Sequence, residues 1–205
     1  MKNLFKKALL LEYFTVGYNI LEALASIYFG SIANSIALIG FGLDSIIESI
    51  SGIILIWRLR KHERVSEHEE NQIERKTLKY VAFTFLILGL YVSFESIRKL
   101  IFVEIPEPSL YGMVIAILSI VIMPVLSLMK RDVGVKISSK ALIADSEETL
   151  ACAFLSVALL IGLMANYFFG FWQADPLVGF IIAIFLFREG WEWWKETKEA
   201  EMVFA

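Results

Sequence analysis

A single cysteine, Cys152, stands in a chain of 205 residues, so no internal disulfide can form. Any role for Cys152 is that of a thiol, and the redox compartment stays open. The two histidines, His62 and His68, share one charged segment, and none stands within the long apolar runs where a metal-dependent enzyme would place its ligands. No phosphate-binding glycine motif is present, and no linker is long enough to hide a second domain. Together these absences argue against an enzyme. A net charge of −3 gives no sign of a nucleic-acid partner, and none is expected.

Apolar residues, by contrast, are abundant. They make up 58% of the chain, with a mean hydropathy of +0.66, more than a soluble domain of this length could bury. A helix needs roughly 20 residues to cross a hydrocarbon core about 30 Å thick. Six stretches approach that length, at about 8–29, 36–57, 78–102, 110–129, 139–169 and 175–194. The expected fold is therefore an all-α integral membrane protein, one transmembrane domain over 1–205 with the lipid bilayer as its solvent. Residues 58–77 form a charged cytoplasmic loop or short helical extension. The fourth span starts after Pro106, Glu107, Pro108 and Ser109, a breaker followed by a cap, and contains Pro124. The sixth starts with Asp175 as a cap and Pro176 in its first turn.

Charge asymmetry orients these spans. With the N-terminus inside, seventeen of the nineteen lysines and arginines fall on the cytoplasmic side, including Lys130 in the fourth-to-fifth connection. Only Arg98 and Lys99 lie near the outer face, where they can snorkel outward. Both termini are thus expected in the cytoplasm. All five tryptophans lie near span ends, as interfacial anchors do. The N-terminal lysines and the Ala23-Leu24-Ala25 run resemble a signal peptide, but Glu12 and Asn19 interrupt its apolar part, so cleavage is not expected.

Function is sought among ionisable groups at membrane depth, each of which costs roughly 2.5–3.5 kcal/mol to insert. Asp44 and Glu48 lie four residues apart on one face of the second helix. Asp145, Glu148 and Cys152 follow i, i+3, i+7 spacing on the fifth. At about 1.5 Å per residue, Asp44 and Glu48 lie roughly 12–18 Å from one end of their helix, and Glu148 and Cys152 roughly 12–18 Å from the opposite end of theirs. The two pairs meet near the midplane, where carboxylates and a thiolate suit zinc, cobalt or iron.

Three further groups extend this pattern. Glu12, Asn19 and Glu22 fall within about 80° of one another on the first helix and either line an access path or satisfy neighbouring helices. Asp145 either aids passage of the ion or caps its helix. His62 and His68 are either a secondary loading site or part of a solvated charged loop. Cys152 is either a ligand or a small buried hydrophobe.

The stretch from Ser35 to Glu48, the stretch from Ala141 to Cys152 and the Asp175-Pro176 pair resemble the cation diffusion facilitator transporters over about residues 9–195. The resemblance implies two ligand pairs, Asp44 with Glu48 and Glu148 with Cys152, and export of divalent metal from the cytoplasm by proton-coupled alternating access, usually as a homodimer in the plasma membrane. The cargo is the metal itself, zinc first, with cobalt, iron, manganese, nickel and cadmium as alternatives, and no prosthetic group is expected. Glu148 stands where the family often has histidine, and Cys152 where it usually has aspartate, so the resemblance does not specify the ion. With the chain ending at Ala205, the ferredoxin-like cytoplasmic domain of many members is not expected, and membrane helices would carry dimerisation. Carboxylates this close share protons, so metal and protons compete for them. A metal-binding accessory membrane protein without transport is the alternative.

Overall fold

A computed structural model describes residues 2–61 and 67–202, with the side chains of 3–60, 82–139 and 141–195. The described residues form six helices: α1 (Lys2–Ile32), α2 (Ile36–Lys61), α3 (Glu67–Phe102), α4 (Leu110–Lys136), α5 (Lys140–Phe169) and α6 (Ala174–Met202). No strand occurs among the described residues. Several helices outrun their apolar stretches. Hydropathy marks only the part that suits lipid, whereas lysine, glutamate and arginine beyond it are good helix formers. Residues 58–61 and 67–77 are accordingly helical, as extensions of α2 and α3.

Among the described residues, α1, α2, α4 and α5 are each long and apolar enough to cross a membrane. In α3 and α6 the apolar run is interrupted by Glu95, Arg98 and Lys99, and by Asp175, Arg188 and Glu189. Three antiparallel pairs organise the bundle: α1 with α2, α4 with α5, and α3 with α6. α2 and α5 touch in the middle, α1 meets α4 on one side, and α6 touches both α2 and α5 on the other. Large apolar side chains such as Phe14, Leu21, Phe94, Val121, Phe154 and Ile184 point outward, as a lipid-facing surface requires.

Small residues set the closeness of these pairs, because helices in lipid gain by packing rather than by leaving water. A β-carbon at Gly42 would lie 2.9 Å from Ser26 Cβ, against the backbone of α1. One at Gly190 would lie 3.1 Å from the Ala82 carbonyl of α3.

The connections at one end of the bundle are tied together. There Ser109 caps α4 through Gly112 N and Gly170 closes α5 in the left-handed conformation, while at the opposite end the Ser139 hydroxyl caps α5 through Leu142 N. Asp175 does not cap its own helix. It sits inside the first turn of α6, and its carboxylate accepts from the Ser35 hydroxyl, from Ile36 N at 2.9 Å and from Ala37 N at 3.4 Å, at the start of α2. Lys99 differs from expectation as well, being only 2% exposed. Its ammonium donates to the Asn34 carbonyl and, at 2.8 Å, to Asn34 Oδ1. Asn34 has a positive φ of 51° that ends the α1 turn, which leaves carbonyl groups for a cation to satisfy. Only Arg98 reaches outward, paired with Glu95 and Glu104.

Candidate metal centre

The helical registers of α2, α5 and α6 bring four carboxylates to one cleft. Asp44 and Glu48 from α2, Glu148 from α5 and Glu189 from α6 line one narrow space, together with Phe85 and Phe185. Glu148, Phe185 and Glu189 also line a second, wider cavity between α5 and α6, together with Glu147, Arg188, Glu192 and Trp193. Glu148 and Glu189 thus stand on the wall between the inner cleft and this outer cavity.

Each carboxylate is held differently. Glu148 Oε1 accepts from the Trp193 indole N–H at 3.0 Å, and Oε2 from the Ser51 hydroxyl at 3.4 Å. Glu48 Oε1 accepts from the Thr149 hydroxyl at 3.0 Å, while Oε2 has no hydrogen-bond partner among the described residues. Glu48 is 8% exposed. A buried carboxylate oxygen left without a donor is costly unless a cation or a proton occupies it. No three His, Cys, Asp or Glu side chains among the described residues stand close enough to enclose an ion as they are placed. The acidic groups face one space from separate helices instead of forming a closed shell.

The residues expected from the sequence are distributed as follows. Asp44, Glu48 and Glu148 share the cleft. Cys152 is buried and lies against Glu48, and it is not among the residues that line the cleft. Asn19 and Glu22 are buried on α1, where Glu22 Oε2 accepts from Ser45 at 2.9 Å and Asn19 lies against Glu48. Glu12 and Asp145 do not face the cleft; both are drawn to Lys130 of α4, with Nζ 3.3 Å from Glu12 Oε1 and 2.5 Å from Asp145 Oδ2. His62 lies outside the described residues, as does the side chain of His68.

Three residues at or behind the cleft are absent from the sequence-derived site: Glu189, which lines it, Trp193, which donates to Glu148, and Lys130, which pairs with Asp145. Lys130, counted among the cytoplasmic charges, is 0% exposed. A signal for it exists, since buried Ala116, Ser119, Met123, Ser127 and Lys130 follow one another at three- and four-residue spacing along α4. Glu189 follows the buried Ile182 and the half-buried Phe185 at three- and four-residue spacing on α6, past the point where the apolar run ends.

A bundle of apolar helices with acidic groups gathered at its centre defines a membrane protein that handles cations. The family description "Cation efflux transmembrane domain" matches residues 13–199, and the chain belongs to the cation efflux family, a family of multi-pass membrane transporters. It is 29% identical over 173 residues to an uncharacterized transporter of Methanocaldococcus jannaschii, covering 82% of this chain and 60% of that protein. It is 23% identical over 187 residues to a manganese efflux system protein of Bacillus subtilis, covering 89% and 64%. A cadmium, cobalt and zinc/H(+)-K(+) antiporter of the same organism is 25% identical over 204 residues, covering 94% and 62%. The chain therefore spans less than two thirds of the length of each of these relatives.

Proposed function

We propose that this protein exports divalent transition-metal cations across the cytoplasmic membrane in exchange for protons, by alternating access, with zinc as the first candidate and cobalt, iron, manganese, nickel and cadmium as alternatives. The observation that carries the reading is the shared cleft of Asp44, Glu48, Glu148 and Glu189, two of which, Glu148 and Glu189, also line the cavity between α5 and α6. The metal is cargo, and no prosthetic group is required. Asp44, Glu48 and Glu148 are the principal ligands, with Cys152 a candidate fourth through its place beside Glu48. Relatives that carry manganese, or cadmium, cobalt and zinc, in their names support a transition metal as cargo.

Ions enter through this cavity past Glu148 and Glu189 and displace protons from the cleft carboxylates. Tilting of helices then opens the cleft to the opposite face, where protons replace the ion. Two copies working as a homodimer, joined through membrane helices, are the expected assembly.

The test is flux through purified protein in liposomes that enclose a pH-sensitive dye, with zinc, cobalt, iron(II), manganese, nickel and cadmium added separately. At least one ion is expected to drive proton movement well above that of protein-free liposomes. Binding without flux for every ion would turn the reading toward a metal-binding accessory protein.

A further inference from the structure

Transport through the cleft leaves one costly feature without a use, a lysine sealed inside the bundle. Lys130 is 0% exposed on α4. Its ammonium pairs with Asp145 of α5 at 2.5 Å and with Glu12 of α1 at 3.3 Å, and donates to the Thr149 hydroxyl at 3.2 Å. Thr149 Oγ1 is in turn 3.0 Å from Glu48 Oε1 on α2, and 2.9 Å from the Asp145 carbonyl of its own helix. The hydroxyl has one proton. With Lys130 donating to its oxygen, that proton is directed to Glu48 or back to Asp145.

Removing an ammonium from water carries a large desolvation penalty, which the two carboxylates offset. If neutralising Lys130 were all that mattered, one carboxylate would do. Here a third, Glu48, is reached through a single bridging hydroxyl, no more than about 6 Å from Nζ by the two contact distances. At that separation inside a protein a full charge acts strongly on an ion bound to Glu48. Glu48 Oε2, the oxygen without a hydrogen-bond partner among the described residues, remains to meet the cargo.

We propose that Lys130 is a resident counter-cation of the transport site, a positioning residue whose fixed charge, relayed through Thr149, weakens the hold of Glu48 on a divalent ion so that the ion can leave. The proposal rests on the transport reading above. Without such a charge, a site of several carboxylates would bind a divalent ion tightly and release it slowly. Binding must be firm enough to capture the ion and loose enough to let it go.

Zinc affinity by isothermal titration and zinc-driven proton flux in liposomes, measured on the full chain, test this. Lys130→Gln is expected to tighten zinc binding at least about tenfold and to lower flux. Lys130→Arg, which keeps the charge, is expected to stay within about threefold of wild type in affinity. Thr149→Val, nearly isosteric, should tighten binding by about threefold and serves if Lys130→Gln does not fold. A structural role alone would weaken affinity and flux together, so tighter binding with slower flux is the distinguishing result. Unchanged or weaker zinc binding in folded Thr149→Val or Lys130→Gln overturns the role of Lys130 and leaves the transport reading intact. A wild type that binds and moves no ion of the panel overturns the transport reading, and this proposal with it.

Discussion

The Asp44→Asn, Glu148→Gln double variant is expected to fold and to lose metal-driven proton movement completely. Both amides match the carboxylates in size, and a glutamine at 148 can still accept from the Trp193 indole. What disappears is charge. At an effective dielectric of about 20, a carboxylate about 4 Å from a unit positive charge contributes about 4 kcal/mol, and a divalent ion feels more. Losing two such groups lowers affinity by more than about a thousandfold. Two protonatable sites are lost as well, so neither partner of the exchange is left a full set of groups. Thermal stability should be unchanged or slightly higher, because like charges gathered for function are removed. Flux and midpoint temperature measured on the same preparation separate the two effects. Wild-type coupling in this variant would refute a transport site at Asp44 and Glu148.

Asp175→Ala is expected to be the most damaging single change at the other end of the bundle. Its carboxylate serves α2 from 138–140 residues away in sequence, accepting from Ile36 N, Ala37 N and the Ser35 hydroxyl. These donors belong to the buried start of a helix, which also favours a negative charge. Asp175 is itself buried, so alanine leaves several donors without an acceptor, each costing about 1–3 kcal/mol. A total loss of about 3 kcal/mol or more should appear as a sharply lower melting midpoint in detergent, partly recovered by Asp175→Asn. A midpoint within a degree or two of wild type would show that the link between α6 and α2 contributes little.

The fold was largely legible because hydropathy and helical periodicity are local. Six apolar stretches became six helices, and the four-residue spacing of Asp44 and Glu48 placed both on the face that lines the cleft. The same arithmetic of rise per residue brought Glu148 to their level. Relations between distant helices were not legible. Nothing local to Asp175 indicates that it caps α2, and Lys99 reads as an outward-facing charge until Asn34 is folded against it. Lys130 and Glu189 escaped because each lies just past an apolar run, where hydropathy assigns a charge to water. The row of buried residues along α4 runs on to Lys130, and on α6 the half-buried Phe185 and Glu189 both line the cleft, so the packed interior continues beyond each apolar stretch. Cys152 matched the expected spacing, yet one turn of α5 beyond Glu148 it lies against Glu48 without lining the cleft.

The hydrogen bond from Trp193 to Glu148 has an optical consequence. An ion bound at Glu148 Oε1 draws charge from the oxygen to which the indole N–H donates at 3.0 Å, so binding changes the electrostatic surroundings of one fluorophore beside the cleft. Indole emission responds to such a change in wavelength and intensity. With Trp57, Trp172, Trp191 and Trp194 replaced by phenylalanine, the remaining ring would report occupancy of the cleft in real time, without a dye and without a label.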